Sequence, residues 1–123
     1  MPHWEELKKY YELIPICPEC DGGLPTPRLP SERKGKQVIN IQGEDWTSFF
    51  LKGARHALQI AKENGIKKAI LKAKSPSCGT NQIYDGSFTH SLTHGDGVTA
   101  ELLRQNGIEV YDENTYLLLI KQS

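Results

Sequence analysis

An α/β fold with a mainly parallel sheet is what three observations predict. Short apolar runs alternate with amphipathic stretches in the order strand, loop, helix, strand, loop, helix, strand. The run Ile66 to Ala73 is almost continuously apolar directly after a helical stretch, as in a parallel strand covered on both faces. The two longest loops follow apolar runs and carry the cysteines. In a sheet with right-handed crossovers such loops leave the carboxyl edge, where open α/β sheets bind ligands.

The elements follow in order. Trp4, Leu7 and Tyr11 share one face of a predicted short helix, with Pro2 in its first turn. Leu13 to Ile16 reads as a strand that Pro15 moves to an edge or an end, because proline has no N–H for the ladder. Cys17 to Pro30 reads as an ordered loop, since its prolines and Gly22-Gly23 oppose both helix and central strand. Glu32 to Gln42 predicts a small β excursion around the polar turn Arg33 to Lys36. Asp45 is the expected N-cap of the main helix. Trp46, Phe49, Phe50, Gly53, Ala54, Ala57, Leu58 and Ala61 mark its broad face, and Asn64-Gly65 ends it. The small residues on that face predict a close approach to the sheet. Ile66 to Ala73 is the expected central strand, and a polar segment runs from Cys78 to Gly97. Val98 to Asn106 is the second helix, closed by Gly107, and Ile108 to Tyr111 is the next strand. Glu113 to Ile120 is expected to pack Tyr116, Leu117 and Ile120 as a helix or turn.

With 123 residues, the chain is expected to be a single domain, 1–123, with one hydrophobic core. Its 15 basic and 15 acidic residues give no electrostatic footprint for nucleic acid. Met1 to Tyr11 lacks the apolar core of a secretory signal, and Leu117 to Ile120 is far too short to span a bilayer, so no membrane partner is expected. Three cysteines, an odd count, argue against a disulfide framework and for a reducing, cytoplasmic setting.

Cys17-x-x-Cys20 has three chemical readings: a redox pair, half of a zinc site, or part of an iron–sulfur site. The Gly22-Gly23 and Pro25 that follow do not open a thioredoxin-type helix. A closed zinc site takes Cys17, Cys20 and Cys78 and needs His90, His94 or a carboxylate as the fourth ligand. Three thiolates on a [4Fe–4S] cluster leave one iron open to a substrate. Glu19 beside Cys17 is a candidate proton donor or acceptor, against the plain alternative of a solvated glutamate. Ser75 and Ser77 either donate to a ligand or cap the turn around Cys78. Gly95-x-Gly97 before the second helix either offers N–H groups to an anion or is a plain junction. Tyr84 and Asp85 are candidates to line a pocket, and Arg28 to meet a carboxylate or phosphate. His3 and His56 read as ordinary surface residues.

Taken together, Cys17-Pro18-Glu19 with Gly22 to Arg28, Ser75-Pro76-Ser77-Cys78-Gly79, Ile83 to Gly86 and Gly95 to Ala100 resemble a bacterial and archaeal family. That family was long known as a domain of unknown function and includes the thiouracil desulfidases. The resemblance runs from about Leu13 to Glu113. It implies a small three-layer Rossmann-like fold and a [4Fe–4S] cluster held by three cysteines. It also implies desulfuration of a small-molecule thiocarbonyl substrate, such as a thiolated nucleobase, with water replacing sulfur at carbon. Cys17 and Cys78 match two of the family's cysteines. Glu19 matches its glutamate, which implies proton handling. Ser77 matches the serine before the second cysteine, which implies positioning of substrate or water. The family's usual opening strand, ending in Cys-Leu-Leu-Gly, and the Cys-Arg-Tyr-Asp-Gly segment after it have no counterpart here. Either Cys20 replaces the first ligand or the chain holds no cluster, and the strands ending at Ile16 and Ala73 either pair directly or are completed in a homodimer. The alternative function is a non-catalytic domain that binds zinc or a sulfur species.

Overall fold

The computed structural model describes residues 14, 16, 18–24, 29–72 and 74–116. The expected helix at Trp4 to Tyr11, as well as Cys17, Arg28 and the segment from Leu117 onward, lie outside the described residues. The architecture is mixed α/β. Its elements are α1 (Pro18–Asp21), β1 (Ser31–Lys34), β2 (Gln37–Asn40), α2 (Thr47–Glu63), β3 (Lys68–Leu71), β4 (Gln82–Tyr84), β5 (Leu92–His94), α3 (Val98–Gln105) and β6 (Glu109–Asp112).

Strands β3 and β6 are parallel, with Lys68 opposite Glu109 and Leu71 opposite Asp112. Their carboxyl ends therefore lie side by side, and α3 belongs to the connection between them. Among the described residues this sheet has two strands, and the central position expected for β3 is not seen there. No strand forms at Ile14 or Ile16. Pro15 between them has no N–H to give a neighbour, and β3 pairs only with β6 among the described residues.

The predicted β excursion is an antiparallel hairpin of β1 and β2, with Arg33 and Lys34 inside the first strand rather than in the turn. A second hairpin, β4 with β5, lies in the stretch that reads only as a polar segment. Its strands have three residues each, too few for alternation to show.

Helix α2 buries Phe50, Gly53, Ala54, Ala57 and Ala61 on the predicted face, while Phe49 stays exposed. It begins one residue later than expected. Asp45 Oδ1 still accepts the Thr47 N–H at 2.9 Å, and its hydrogen bonds from the Thr47 side chain and N–H hold the Asp45 carboxyl below the ordinary range. The helix ends at Asn64, followed by Gly65 in the left-handed region as expected.

Two apolar clusters flank the helices. One joins Ala61, Leu71, Cys78, Ala100, Leu103 and Ile108, beneath the parallel pair. The other joins Leu24, Val38, Phe50, Ala54 and Val98, between α2 and the first hairpin. Tyr116 is buried, as expected, in a turn after β6.

Besides the apolar cluster that holds Val38 and Val98, Arg33 ties the first hairpin to α3. Arg33 donates to the Asp96 carbonyl at 2.7 Å and pairs with Glu101 at 2.7 Å, with its own side chain only 13% exposed. Removing it leaves that carbonyl without its charged donor. Glu101 is 45% exposed, so water replaces part of the lost pair. Arg33→Met is expected to cost about 1–2 kcal/mol in urea denaturation.

Candidate active site

The site is built around the turn that follows β3. Leu71 ends the strand, and Lys74 adopts φ 67°, uncommon for a residue with a side chain. A bridge between Lys74 and Ile83 holds it there. Ser75 then organises the turn. Its Oγ accepts the N–H groups of Ser77 at 3.1 Å and Cys78 at 2.9 Å, and its carbonyl accepts the Gly79 N–H at 2.8 Å. Of the two roles expected for Ser75, the turn-capping one is observed.

This turn docks backbone to backbone on the start of α3. The Val98 N–H donates to the Pro76 carbonyl at 2.8 Å. The Thr99 and Ala100 N–H groups donate to the Ser77 carbonyl at 2.7 and 3.2 Å. The Gly97 N–H donates to the Gly79 carbonyl at 2.8 Å. The orphan donors of the helix start are thus used by the cysteine turn itself. Gly95-x-Gly97 therefore presents no free amide cradle for an anion here. Gly97 serves proximity instead: a Cβ there would lie 2.5 Å from the Ser77 oxygen and 2.6 Å from the Cys78 nitrogen.

Cys78 is 9% exposed and packs in the first apolar cluster. Its Sγ is 3.7 Å from Ser77 Oγ. Ser77 is 1% exposed, and its hydroxyl lies 2.8 Å from Thr99 Oγ1, on a residue with no exposed surface. Thr80 Oγ1 donates to Asp112 Oδ2 at 2.9 Å. That bond ties the turn after β3 to the end of β6, so the Cys78 turn leaves the carboxyl edge of the parallel pair.

The flank of the turn is braced by charge. Asp96 accepts the Asn81 N–H at 2.8 Å, and Arg104 reaches both Asn81 Oδ1 at 2.9 Å and Asp96 Oδ2 at 3.3 Å. Asn81, at φ 67°, is held in its left-handed conformation by these bonds. Asp112 and Arg104 do not stand out in the sequence, and Asp96 and Thr99 do so only as part of the Gly95 to Ala100 stretch. A polar residue beside a helix start, in a helix's last turn or at a strand end is too frequent a signal to give any of them an individual role.

The other half of the expected site lies on α1. Glu19 and Cys20 fall within this four-residue helix, where a loop was expected. Pro18 is compatible with helix because a first helical residue needs no N–H partner. Cys20 is exposed. The segment is pressed against α2: a Cβ on Gly53 would collide with the Pro18 carbonyl oxygen, and one on Gly22 with the Phe49 carbonyl oxygen. The small residues of α2 thus do allow a close approach at Gly53, but to the Pro18 backbone rather than to the sheet.

Tyr84 stacks edge-on against His90, with ring centroids 5.9 Å apart. Hydrogen bonds from the Ser87 side chain, then its N–H, hold the Asp85 carboxyl below the ordinary range. His56 lies on exposed helix surface, 3.7 Å from Asp21.

The donors of Cys17, Cys20 and Cys78 are soft thiolates, and their chemistry suits an iron–sulfur cluster. Cys78 fits that use, being held on a rigid turn with a hydroxyl beside its sulfur. Among the described residues, no group of three or more His, Cys, Asp and Glu is gathered to hold a metal ion. The zinc set completed by His90 or His94 would place three such ligands among them, and it is not assembled.

Three likenesses to known proteins bear on this arrangement. Residues 2–115 match the model of a family described as 2-thiouracil desulfurase. The uncharacterized protein YbbK of Bacillus subtilis (strain 168) is 42% identical over 123 aligned positions, which cover 89% of this chain and 82% of YbbK. A solved structure of a [4Fe–4S]-dependent thiouracil desulfidase, TudS, is similar with a TM-score of 0.89 and 42% identity, covering 96% of this chain and 78% of that one.

Proposed function

Since the chain belongs to the 2-thiouracil desulfurase family, we propose that it removes sulfur from a small thiocarbonyl compound, a thiolated nucleobase or similar heterocycle. What carries this reading is the near full-length likeness to a [4Fe–4S]-dependent thiouracil desulfidase. In the reaction a water oxygen bonds to the thiocarbonyl carbon, the carbon–sulfur bond breaks, and sulfur leaves as sulfide while C=S becomes C=O. No net oxidation takes place, so the demands on the protein are orientation and proton transfer.

Cys17, Cys20 and Cys78 would hold a [4Fe–4S] cluster, which when bound supplies an open Lewis-acidic iron with affinity for sulfur. Cys78 presents its sulfur from a turn whose amides and carbonyls are nearly all engaged, so its direction is fixed before anything binds. Glu19 takes the proton from the attacking water and passes it towards the departing sulfur. Ser77 orients substrate or water through its hydroxyl at the Cys78 side of the site. The same reading takes residues 1–123 as one cytoplasmic domain on a three-layer Rossmann-like frame. Among the described residues, no helix is long and apolar enough to cross a membrane.

The test is preparation and reconstitution without oxygen. The expected result is about four irons per chain with broad visible absorption, and conversion of 2-thiouracil to uracil with release of sulfide. Cys78→Ala is expected to lose the iron and the turnover together. Cys20→Ala separates the ligand sets: a variant that keeps its full iron content removes Cys20 from the three. Protein that binds stoichiometric zinc, takes up no iron and leaves 2-thiouracil intact overturns the proposal in favour of a metal-binding domain.

A further inference from the structure

The cysteine turn contains a hydroxyl pair whose proton order is set by burial. Thr99 has no exposed surface, and among the hydrogen bonds of the described residues its Oγ1 meets one group, Ser77 Oγ at 2.8 Å. Ser77 Oγ has a second neighbour, Cys78 Sγ at 3.7 Å. A hydroxyl carries one proton. If Ser77 gave its proton to Thr99, the Thr99 proton would have no acceptor among the described residues, which is the costly arrangement for a buried donor. If Thr99 donates to Ser77, the Thr99 proton is used and the Ser77 proton is left for an acceptor on the site side. The Ser77 proton is then free of Thr99. The Cys78 thiol, while protonated, donates to Ser77 Oγ at 3.7 Å. Once that thiol has lost its proton, the Ser77 proton can turn to the sulfur and whatever binds beside it.

From this geometry we infer that Thr99 is a positioning residue that fixes Ser77 as a donor facing the site. The inference rests on the proposed desulfuration for its catalytic meaning, and on burial and distance alone for the proton order. A cysteine that ligates a cluster has lost its own proton, so the 3.7 Å contact then depends on the proton that Ser77 supplies. Helix α3 contributes more than the side chain. The Thr99 N–H grips the Ser77 carbonyl at 2.7 Å, so one residue holds both ends of Ser77.

Two measurements test this. In the full chain without cluster, proton NMR should show the Thr99 hydroxyl proton, with its exchange slowed by about tenfold or more relative to exposed threonines. Ser77→Ala should remove that protection. A protected proton that belongs to Ser77 rather than Thr99 overturns the inference, whatever the protein turns over. In the reconstituted protein, Thr99→Val should lower kcat about tenfold with KM little changed, and Thr99→Ser should restore it. In a Ser77→Ala background, Thr99→Val should have no further effect on kcat. An equal loss in both backgrounds shows that Thr99 acts only through the fold, and overturns the role.

Discussion

Gly97→Ala is expected to lower stability by about 3–5 kcal/mol, in the range of strong core disruption, and to abolish iron binding at the Cys78 turn. The added methyl meets the Ser77 oxygen at 2.5 Å and the Cys78 nitrogen at 2.6 Å. These are backbone atoms, so no side-chain rotation relieves the clash. The helix cannot slide away without parting the bonds from Gly97, Val98, Thr99 and Ala100 to the turn. It also carries Ala100 and Leu103 in one apolar cluster and Val98 in the other. Urea denaturation with iron analysis of the reconstituted variant measures both effects. Gly107→Ala is the control, since that position has positive φ but open space around it. It should cost only about 1 kcal/mol from its left-handed backbone and leave iron binding intact. Equal losses in the two variants would show that conformation, not proximity, decides the effect at Gly97.

The contrast between those two glycines also marks what was legible in the sequence. Helices α2 and α3 announced themselves through the spacing of Phe50, Ala54, Ala57 and Ala61 and of Val98 and Leu103, and by the glycines that end them. Strands β3 and β6 showed as apolar runs after helices, and their parallel pairing followed from the order of elements. The Ser75 to Gly79 turn stood out because Pro76 and Gly79 interrupt regular structure around a cysteine. The docking of that turn on α3 did not. It is made by main-chain groups, which every residue possesses, and its only trace is the missing Cβ of Gly97. A glycine before a helix has several uses, and of the two readings open here the plain junction holds, because the amides from Gly97 to Ala100 are consumed internally. The β4–β5 hairpin was hidden for a related reason. It is fixed from outside, by the Glu32 carboxylate accepting the N–H groups of Gly86 and Phe88 at 3.0 and 3.1 Å, rather than by its own pattern. In the sequence Glu32 is only the start of the β excursion, yet its side chain is buried.

Gly53→Ala is expected to act on the opposite half of the candidate site and to separate it from the rest of the fold. A Cβ at this position would collide with the Pro18 carbonyl oxygen and lie 2.7 Å from the Pro18 carbonyl carbon. One of the two elements has to give way. Helix α2 is anchored by Phe50, Ala54 and Ala61 in both apolar clusters, whereas α1 has four residues, of which Pro18 is buried, and reaches an apolar cluster only through Leu24 beyond it. The short element should therefore undock. Releasing Leu24 costs about 2 kcal/mol of apolar burial, well below the global stability of an ordinary domain. Pro18 lies between Cys17 and Glu19 in sequence, and Cys20 is two residues on, so undocking displaces two proposed cluster ligands and the proposed proton carrier at once. Iron content after reconstitution should fall to a small fraction of the parent's. Amide exchange locates the cause. The Gly22 and Gly23 N–H groups, which donate to the Pro18 and Cys20 carbonyls at 2.9 and 3.0 Å, should lose protection. Those of Thr99 and Ala100, on the Cys78 turn, should keep theirs. If Gly22 and Gly23 stay protected while iron is lost, the placement of the Cys17 segment on α2 is not what assembles the site. If iron is retained in full, the contact between Gly53 and Pro18 has no part in holding the ligands.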